Sequence, residues 1–238
     1  MRLVPGLVLS LFPGVGLFDR AFEGEGWCVV RGPDLMFGSD VRTFHAPAAK
    51  FDGVIGGPPC KGDSQLAHLN GEPGVDLRGE FARVVREAAP AWWVMEAVKP
   101  HMPELDGDIF ETRLTPRWLG SEQSRLRFFY SNLDLARWIQ PEALEPFRYA
   151  YAVRAANRTS AKGTTHKSMA SYKWPEMLRL QGLPLDFALP AFTMRGKEEA
   201  VGNGVPLPMG RAIARAVWLS TAERWAREER LTRESEKV

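Results

Sequence analysis

The stretch Leu7-Val8-Leu9-Ser10-Leu11-Phe12-Pro13-Gly14-Val15-Gly16 decides the fold. Its first six residues form an apolar run of strand length, and the proline and two glycines that follow end the run in a tight turn. The next segment, 17–23, has apolar residues at helical spacing. The stretch therefore predicts a buried strand, a glycine turn and a helix, an arrangement that can cradle a nucleotide. A plain tight turn in an α/β protein is the alternative.

Further strands and helices are predicted downstream. The strands fall at 27–31, 51–55 and 91–95, a helix at 76–89, and a solvated helix at 211–237. Strands that alternate with helices predict a parallel, doubly wound sheet, which binds its ligands at the carboxyl ends of the strands. The glycine turn, the Gly-Gly-Pro-Pro turn at 56–59 and Glu96 all follow predicted strands, so we expect them at one edge of the sheet.

The composition limits the classes of protein to which the chain can belong. The chain has 238 residues, 45% of them hydrophobic, which fits one domain with at most a small extra lobe. A net charge of +2 is too small to identify a nucleic-acid partner, but the segment 148–173 has six Lys or Arg residues and no Asp or Glu. Two cysteines provide neither a disulfide framework nor a zinc cluster. We expect a cytoplasmic protein with no metal and no membrane span.

Cys60 follows the turn at 56–59, whose two glycines and two prolines fix a sharp bend. Such a turn would present the thiol rigidly at a strand end, which makes Cys60 a candidate nucleophile if its surroundings favour the thiolate. A buried structural cysteine is the alternative.

Acidic and basic residues accompany this turn. Glu96 at the end of a predicted strand suits an acid-base role, or is a solvated strand-end acid. The alternating pattern at 123–128 predicts that Arg125 and Arg127 share one strand face, where they bind a phosphate or a base oxygen, or pair with a surface acid. Asp34 and Asp40 are placed to accept hydrogen bonds from a ribose or adenine, or are loop caps.

In this order, these signals resemble the cytosine-C5 DNA methyltransferase family over most of the chain. The matching motifs are Leu11-Phe12-Pro13-Gly14-Val15-Gly16, Gly57-Pro58-Pro59-Cys60, Glu96-Ala97-Val98, Gln123-Ser124-Arg125-Leu126-Arg127, Arg179-Leu180-Gln181-Gly182-Leu183-Pro184 and Gly202-Asn203-Gly204-Val205-Pro206.

The resemblance implies a Rossmann-like class I methyltransferase fold, with a mostly parallel doubly wound sheet and a reduced target-recognition lobe. Cys60 would attack C6 of a cytosine flipped out of double-stranded DNA, while Glu96 binds the N3 edge and Arg125 and Arg127 hold the base and its backbone. The residues expected to bind the cofactor, S-adenosylmethionine, are Leu11, Phe12, Gly14, Val15, Gly16, Asp34, Asp40, Val41, Gly57, Pro59, Asn203 and Val205. Those expected to contact DNA are Lys61, Ser64, Arg154, Arg158, Lys162 and Lys167.

The resemblance also divides the chain. Residues 1–131 would form the cofactor-binding and catalytic region, 132–174 a short basic target-recognition segment, and 175–238 the closing motifs and a C-terminal helix. A short basic segment attracts phosphates but offers few side chains to base edges, so we expect a short or degenerate target sequence. We expect a monomer.

The chain departs from the family pattern at four places. Ser10 replaces an Asp, and Leu17 a second glycine, which predicts altered cofactor contacts. The Lys61-Gly62-Asp63-Ser64 loop replaces Gln-x-Phe-Ser, so that Lys61 either assists the Cys60 thiolate, touches a phosphate or pairs with Asp63. Ala97 replaces an Asn, which leaves space for a group bulkier than methyl on a modified cofactor. An enzyme that acts on RNA and an inactive binding module also fit these departures.

Overall fold

The structure is a computed structural model that describes residues 6–59, 76–141, 150–153 and 172–235. A six-stranded sheet lies at its centre, with the order β2-β1-β3-β4-β7-β5. Its strands are β1 (Leu7–Leu11), β2 (Cys28–Arg31), β3 (Gly53–Gly56), β4 (Trp92–Ala97), β5 (Phe110–Leu114) and β7 (Arg127–Ser131). Only β7 runs antiparallel to its neighbours among these strands, so the prediction of a mostly parallel sheet is confirmed.

The helices cover both faces of the sheet. They are α1 (Leu17–Gly24), α2 (Arg78–Ala88), α3 (Trp174–Gln181), α4 (Met194–Asn203) and α5 (Leu207–Ser235). On one face, α1 and α5 pack against alternate strand residues such as Val8, Trp92 and Val94. On the other face, α2 packs against the residues between them, such as Leu9 and Met95. This two-sided burial explains the nearly continuous apolar strands of the sequence.

The predicted boundaries differ slightly from those observed. The second strand begins at Cys28 rather than Trp27, and the third spans Gly53–Gly56, because Phe51 packs against the core just before it. The C-terminal helix begins at Leu207, four residues earlier than predicted, and its final turns from Glu223 onward are exposed as expected.

A smaller helical layer brings the end of the chain beside its beginning. Here α3 and α4 pack against Val15 and Leu17, the residues at the start of α1. An ideal Cβ at Gly204 would lie 2.5 Å from Leu17 Cδ1. The Leu17 side chain therefore occupies the space beside Gly204, which explains how the chain accommodates a leucine in its glycine turn.

Two short strands lie away from the main sheet. They are β6 (Gln123–Ser124) and β8 (Ala150–Tyr151), which pair in parallel. Because β8 lies within the predicted recognition segment, its pairing with β6 attaches that segment beside the arginine motif.

Candidate active site

The glycine turn between β1 and α1 has a strained backbone that only a few residues tolerate. Phe12, Gly14 and Gly16 have φ angles of 56°, 53° and 76°. The Gly16 N–H donates to Pro13 O at 2.8 Å, which closes the turn. An ideal Cβ at Gly14 would meet no atom of the described residues within 4 Å, so this side of the turn faces open space. The turn can therefore receive a ligand close to its backbone.

Asp34, in the loop that follows β2, holds the turn through hydrogen bonds. Its Oδ2 accepts from the Gly14 N–H and its Oδ1 from the Met36 N–H, both at 2.8 Å. The loop-cap interpretation is thus observed for Asp34, which in addition holds the turn. Each carboxylate oxygen keeps a second lone pair that could accept a hydroxyl.

Asp40 has a different set of partners. It accepts from the Arg42 N–H at 2.9 Å and pairs with the guanidinium of the same residue. Arg42 holds the pKa of this carboxyl below its usual range. Asp40 therefore also caps a loop, and the neighbouring Val41 is buried against the core below it. A contact of either residue with a cofactor stays a prediction.

A buried carboxylate that the sequence did not indicate lies under the turn. Asp19 is completely buried in the first turn of α1, where its Oδ1 accepts from Ser10 Oγ at 2.5 Å. Its Oδ2 accepts from Arg31 Nε at 3.0 Å. The Asp19 carboxylate thus lies next to Ser10, the position at which the family pattern has an Asp. An acid nine residues after Ser10, in the following helix, was the signal that could have found it.

Glu96 is buried at the carboxyl end of β4, so the interpretation as a solvated acid is wrong. Its carboxylate pairs with Arg127 Nε at 2.8 Å, and both side chains are about nine-tenths buried. Glu96 lies opposite Phe129 in the β4–β7 ladder, so Arg127 is its diagonal neighbour on the same face. Burial raises the pKa of Glu96, against the lowering effect of Arg127 and Arg125.

Arg125 and Arg127 do not share one strand face, contrary to the prediction. The chain leaves β6 after Ser124 and enters β7 at Arg127, so the regular alternation is broken between them. Leu126 is exposed in this break, while Arg125 is buried. Both arginines nevertheless act electrostatically on Glu96 from different directions.

Arg125 joins three distant parts of the chain. Its guanidinium donates to Val153 O and, at 2.9 Å, to Gly202 O. Its Nε is buried and has no hydrogen-bond partner among the described residues. Burial, together with the positive charge of Arg127, lowers the pKa of Arg125. A buried N–H donor without a partner, beside a buried carboxyl group, is suited to bind a polar ligand.

Two buried glutamines extend this connection, and no local pattern in the sequence indicated a role for either. Gln123 accepts from the Val153 N–H at 3.0 Å and donates to Leu180 O and to Gln181 Oε1. Gln181 in turn donates to Val201 O. These bonds hold the arginine motif against both closing motifs, where Val205 is buried and Asn203 is exposed at the end of α4.

The turn that leads to Cys60 lies beside Glu96. An ideal Cβ at Gly57 would be 3.1 Å from Glu96 Oε2, and Pro59 O accepts from the Leu77 N–H at 3.0 Å. The structure thus places the residue before Cys60 at the expected sheet edge. The predicted residues that lie outside the described ones are Cys60, Lys61, Ser64, Arg154, Arg158, Lys162 and Lys167.

Neither a metal site nor a membrane span is found in the described part of the chain. Its His, Cys, Asp and Glu residues form no group of three that could hold a metal ion. None of its helices is both long and apolar enough to cross a membrane.

Solved structures with the same fold are methyltransferases. The chain aligns with a Spodoptera frugiperda DNMT2 mutant at a TM-score of 0.60 and 15% identity, over 89% of this chain and 99% of the other. A protein described as a DNA modification methyltransferase encoded within an E. coli prophage aligns at 0.59 and 17%, over 91% and 99%. The fold is that of a Rossmann-like class I methyltransferase.

Relatives by sequence agree with the motifs, although no family model matches the chain. It is 29% identical over 110 residues to the type II methyltransferase M.FnuDI of Fusobacterium nucleatum, which is 39% of this chain and 32% of the relative. It is 25% identical over 163 residues to M.NgoPII of Neisseria gonorrhoeae, at 53% and 47% coverage. For M.AquIA of Picosynechococcus the identity is 32% over 135 residues, at 45% and 54%. These relatives support the resemblance to DNA methyltransferases, and the chain spans about a third to a half of their length.

Proposed function

We propose that this chain transfers a methyl group from S-adenosylmethionine to C5 of a cytosine in DNA, with Cys60 as the covalent nucleophile. The observation that carries the proposal is the buried cluster of Glu96, Arg127 and Arg125, whose Nε has no partner among the described residues, at the sheet edge where the turn leads toward Cys60. A carboxyl donor for cytosine N3 and a guanidinium donor for cytosine O2 match one edge of the base.

The glycine turn fits the proposed cofactor. Its open side at Gly14 leaves room for close approach, and the start of α1 supplies N–H groups and a favourable dipole for the carboxylate of the amino-acid moiety. When bound, the sulfonium supplies an electrophilic methyl group. Asp34 and Asp40 are proposed to contact the ribose and adenine, with the remaining predicted cofactor residues around them.

The chemistry then follows from the residues at the sheet edge. The Cys60 thiolate forms a bond to C6, and the electrons of the C5–C6 double bond move to C5, which takes the methyl group while the carbon–sulfur bond of the sulfonium breaks. Glu96 donates a proton to the N3 edge and thereby withdraws charge from the ring. Loss of the C5 proton to a base then restores the double bond and expels the Cys60 thiolate, while the N3 proton returns to the Glu96 carboxylate.

A trapping experiment tests this proposal. DNA that contains 5-fluorocytosine lacks the C5 proton, so the final elimination is blocked and a covalent protein–DNA complex should accumulate only with S-adenosylmethionine present. Cys60→Ala should abolish the complex, seen as a shifted band on a denaturing gel. Cys28→Ala is the matched control, since Cys28 is exposed on β2 and should leave trapping unchanged.

The same experiment distinguishes the competing functions. Trapping of an RNA oligonucleotide instead of DNA would show that the substrate is RNA. Binding of DNA without any covalent complex would contradict the proposed chemistry and favour a binding module. Mass spectrometry of the product distinguishes methylcytosine from a bulkier modification.

The glycine turn gives a second prediction. Gly14→Ala should weaken binding of S-adenosylhomocysteine by about tenfold or more, because the added methyl group projects into the space where the cofactor would lie. Its positive φ angle also costs about 1–2 kcal/mol of stability. Isothermal titration calorimetry measures the first effect and urea denaturation the second.

Gly26→Ala is the control for backbone strain. Gly26 also has a positive φ and open space around it, but it lies between α1 and β2, away from the turn. Gly26→Ala should lower the free energy of unfolding by a comparable amount and leave the affinity for S-adenosylhomocysteine unchanged. Equal losses of affinity in both variants would show that strain alone explains the effect and that the turn does not hold the cofactor.

A further inference from the structure

Three elements at the start of the fold meet at the buried carboxylate of Asp19. Ser10 lies near the end of β1, Arg31 ends β2, and Asp19 belongs to the first turn of α1. Alternation along β1 points Ser10 toward the face that α1 covers, where its hydroxyl donates to Asp19. The carboxylate therefore links the two strands and the helix that surround the glycine turn.

This cluster lies directly against the turn. An ideal Cβ at Gly16 would be 2.5 Å from Arg31 Nη2 and 3.2 Å from Asp19 Oδ2. Asp34 holds the opposite side of the turn through the Gly14 N–H. The turn is thus fixed between two carboxylates, one at its exposed side and one beneath it.

A buried carboxylate is costly, and its burial raises the pKa of Asp19. Apolar residues of similar volume would fill such a position with equal or better stability. The neighbouring core positions on this face are apolar, including Phe18 and Phe22 of the same helix. Because the one charged position on this buried face of α1 is also the one that reaches the glycine turn, a role in shaping the turn explains it better than stability does.

We propose that Asp19 is a positioning residue for the cofactor: through Ser10 and Arg31 it holds the β1–α1 turn in the conformation that binds S-adenosylmethionine. This inference rests on the proposed function, since it names a determinant of the same cofactor site. Asp19 does not touch the cofactor, because its side chain is completely buried below the turn.

The test removes the charge and then relocates it. Asp19→Asn keeps the shape but removes the negative charge that pairs with Arg31, and Asp19→Ser removes the carboxylate as a whole. Each should weaken S-adenosylhomocysteine binding by about tenfold or more. The double change Ser10→Asp with Asp19→Ser conserves volume and returns a carboxylate to the cluster, so it should restore most of the affinity. Calorimetry on the full chain measures each affinity.

Two further readouts distinguish positioning from general stability. Asp19→Asn should raise the KM for S-adenosylmethionine while kcat at saturating cofactor stays near that of the wild type. The backbone amides of Phe12 and of residues 14–16 should exchange hydrogen faster in the cofactor-free variant, whereas amides of α2 on the opposite face should not change. Glu25→Gln, a change at the C-terminal end of the same helix, is the matched control.

Failure of this inference can be distinguished from failure of the proposed function. Wild-type affinity in a folded Asp19→Asn variant overturns the inference, and so does a well-folded relocation variant that binds as weakly as Asp19→Ser. Failure of the wild-type chain itself to bind S-adenosylhomocysteine would instead contradict the proposed cofactor.

Discussion

Glu96→Gln is expected to slow methyl transfer by about 10²- to 10⁴-fold, because it removes the proton that the carboxyl group supplies to the N3 edge. Burial raises the pKa of Glu96, so the protonated form persists to higher pH than in an exposed carboxyl. The wild-type rate should fall as the pH rises through this pKa. The variant keeps an N–H donor but has no proton to lose, so its rate should lack this alkaline decline. Single-turnover transfer of a labelled methyl group across pH measures both effects.

A surface carboxylate provides the control for Glu96. Glu223 forms an exposed pair with Arg137, and Glu223→Gln should leave both the rate and its pH profile unchanged. If Glu96→Gln shows the same alkaline decline as the wild type, another group is responsible for it, and the assigned role of Glu96 is wrong.

Arg125→Met is expected to lower the free energy of unfolding by about 3 kcal/mol, the largest stability effect that we predict. The substitution keeps the apolar volume of the side chain but leaves Val153 O and Gly202 O without their donor. It also leaves the buried Glu96 with a single cation. Urea denaturation, followed by tryptophan fluorescence, measures the change, and base-pocket function should be lost with it.

Two other arginine variants serve as controls for Arg125→Met. Arg195→Met removes an exposed pair with Glu199 and should change stability by no more than about 0.5 kcal/mol. Arg127→Met breaks the pair with Glu96 but removes no bond to a distant backbone group, so catalysis should suffer more than stability. An Arg125→Met protein as stable as the wild type would show that the three-way connection contributes little.

The first half of the sheet could be predicted from local patterns. The strands β1, β3 and β4 follow from apolar runs because they are buried on both faces, and α2 follows from its one apolar face. The short apolar run of β2 also predicts a strand, although this edge strand is largely exposed. The edge strand β5 escaped prediction, because its sequence Phe-Glu-Thr-Arg-Leu carries charged side chains that are exposed there. Its place in the sheet depends on pairing with β7, which no local pattern encodes.

The residue types of the candidate site were predictable, but their surroundings were not. Glu96 was found from its place after a strand, whereas its burial depends on β7 lying alongside β4. The break at Leu126 was not predicted, because polar and apolar residues can also alternate where the chain leaves one strand and enters the next. The contacts of Asp19 and of the Gln123–Gln181 pair were not predicted, because they form only where separate elements meet in the folded chain.

The reversed direction of β7 makes the separation of Glu96 and Arg127 independent of the length of the loop between β4 and β5. Glu96 lies where β4 leaves the sheet and Arg127 where β7 enters it, so hydrogen bonds of the β4–β7 ladder alone fix their separation. The loop 98–109 between β4 and β5 could therefore change in length without displacing the pair. The buried electrostatic contact of the site is thus protected from insertions and deletions in a neighbouring loop.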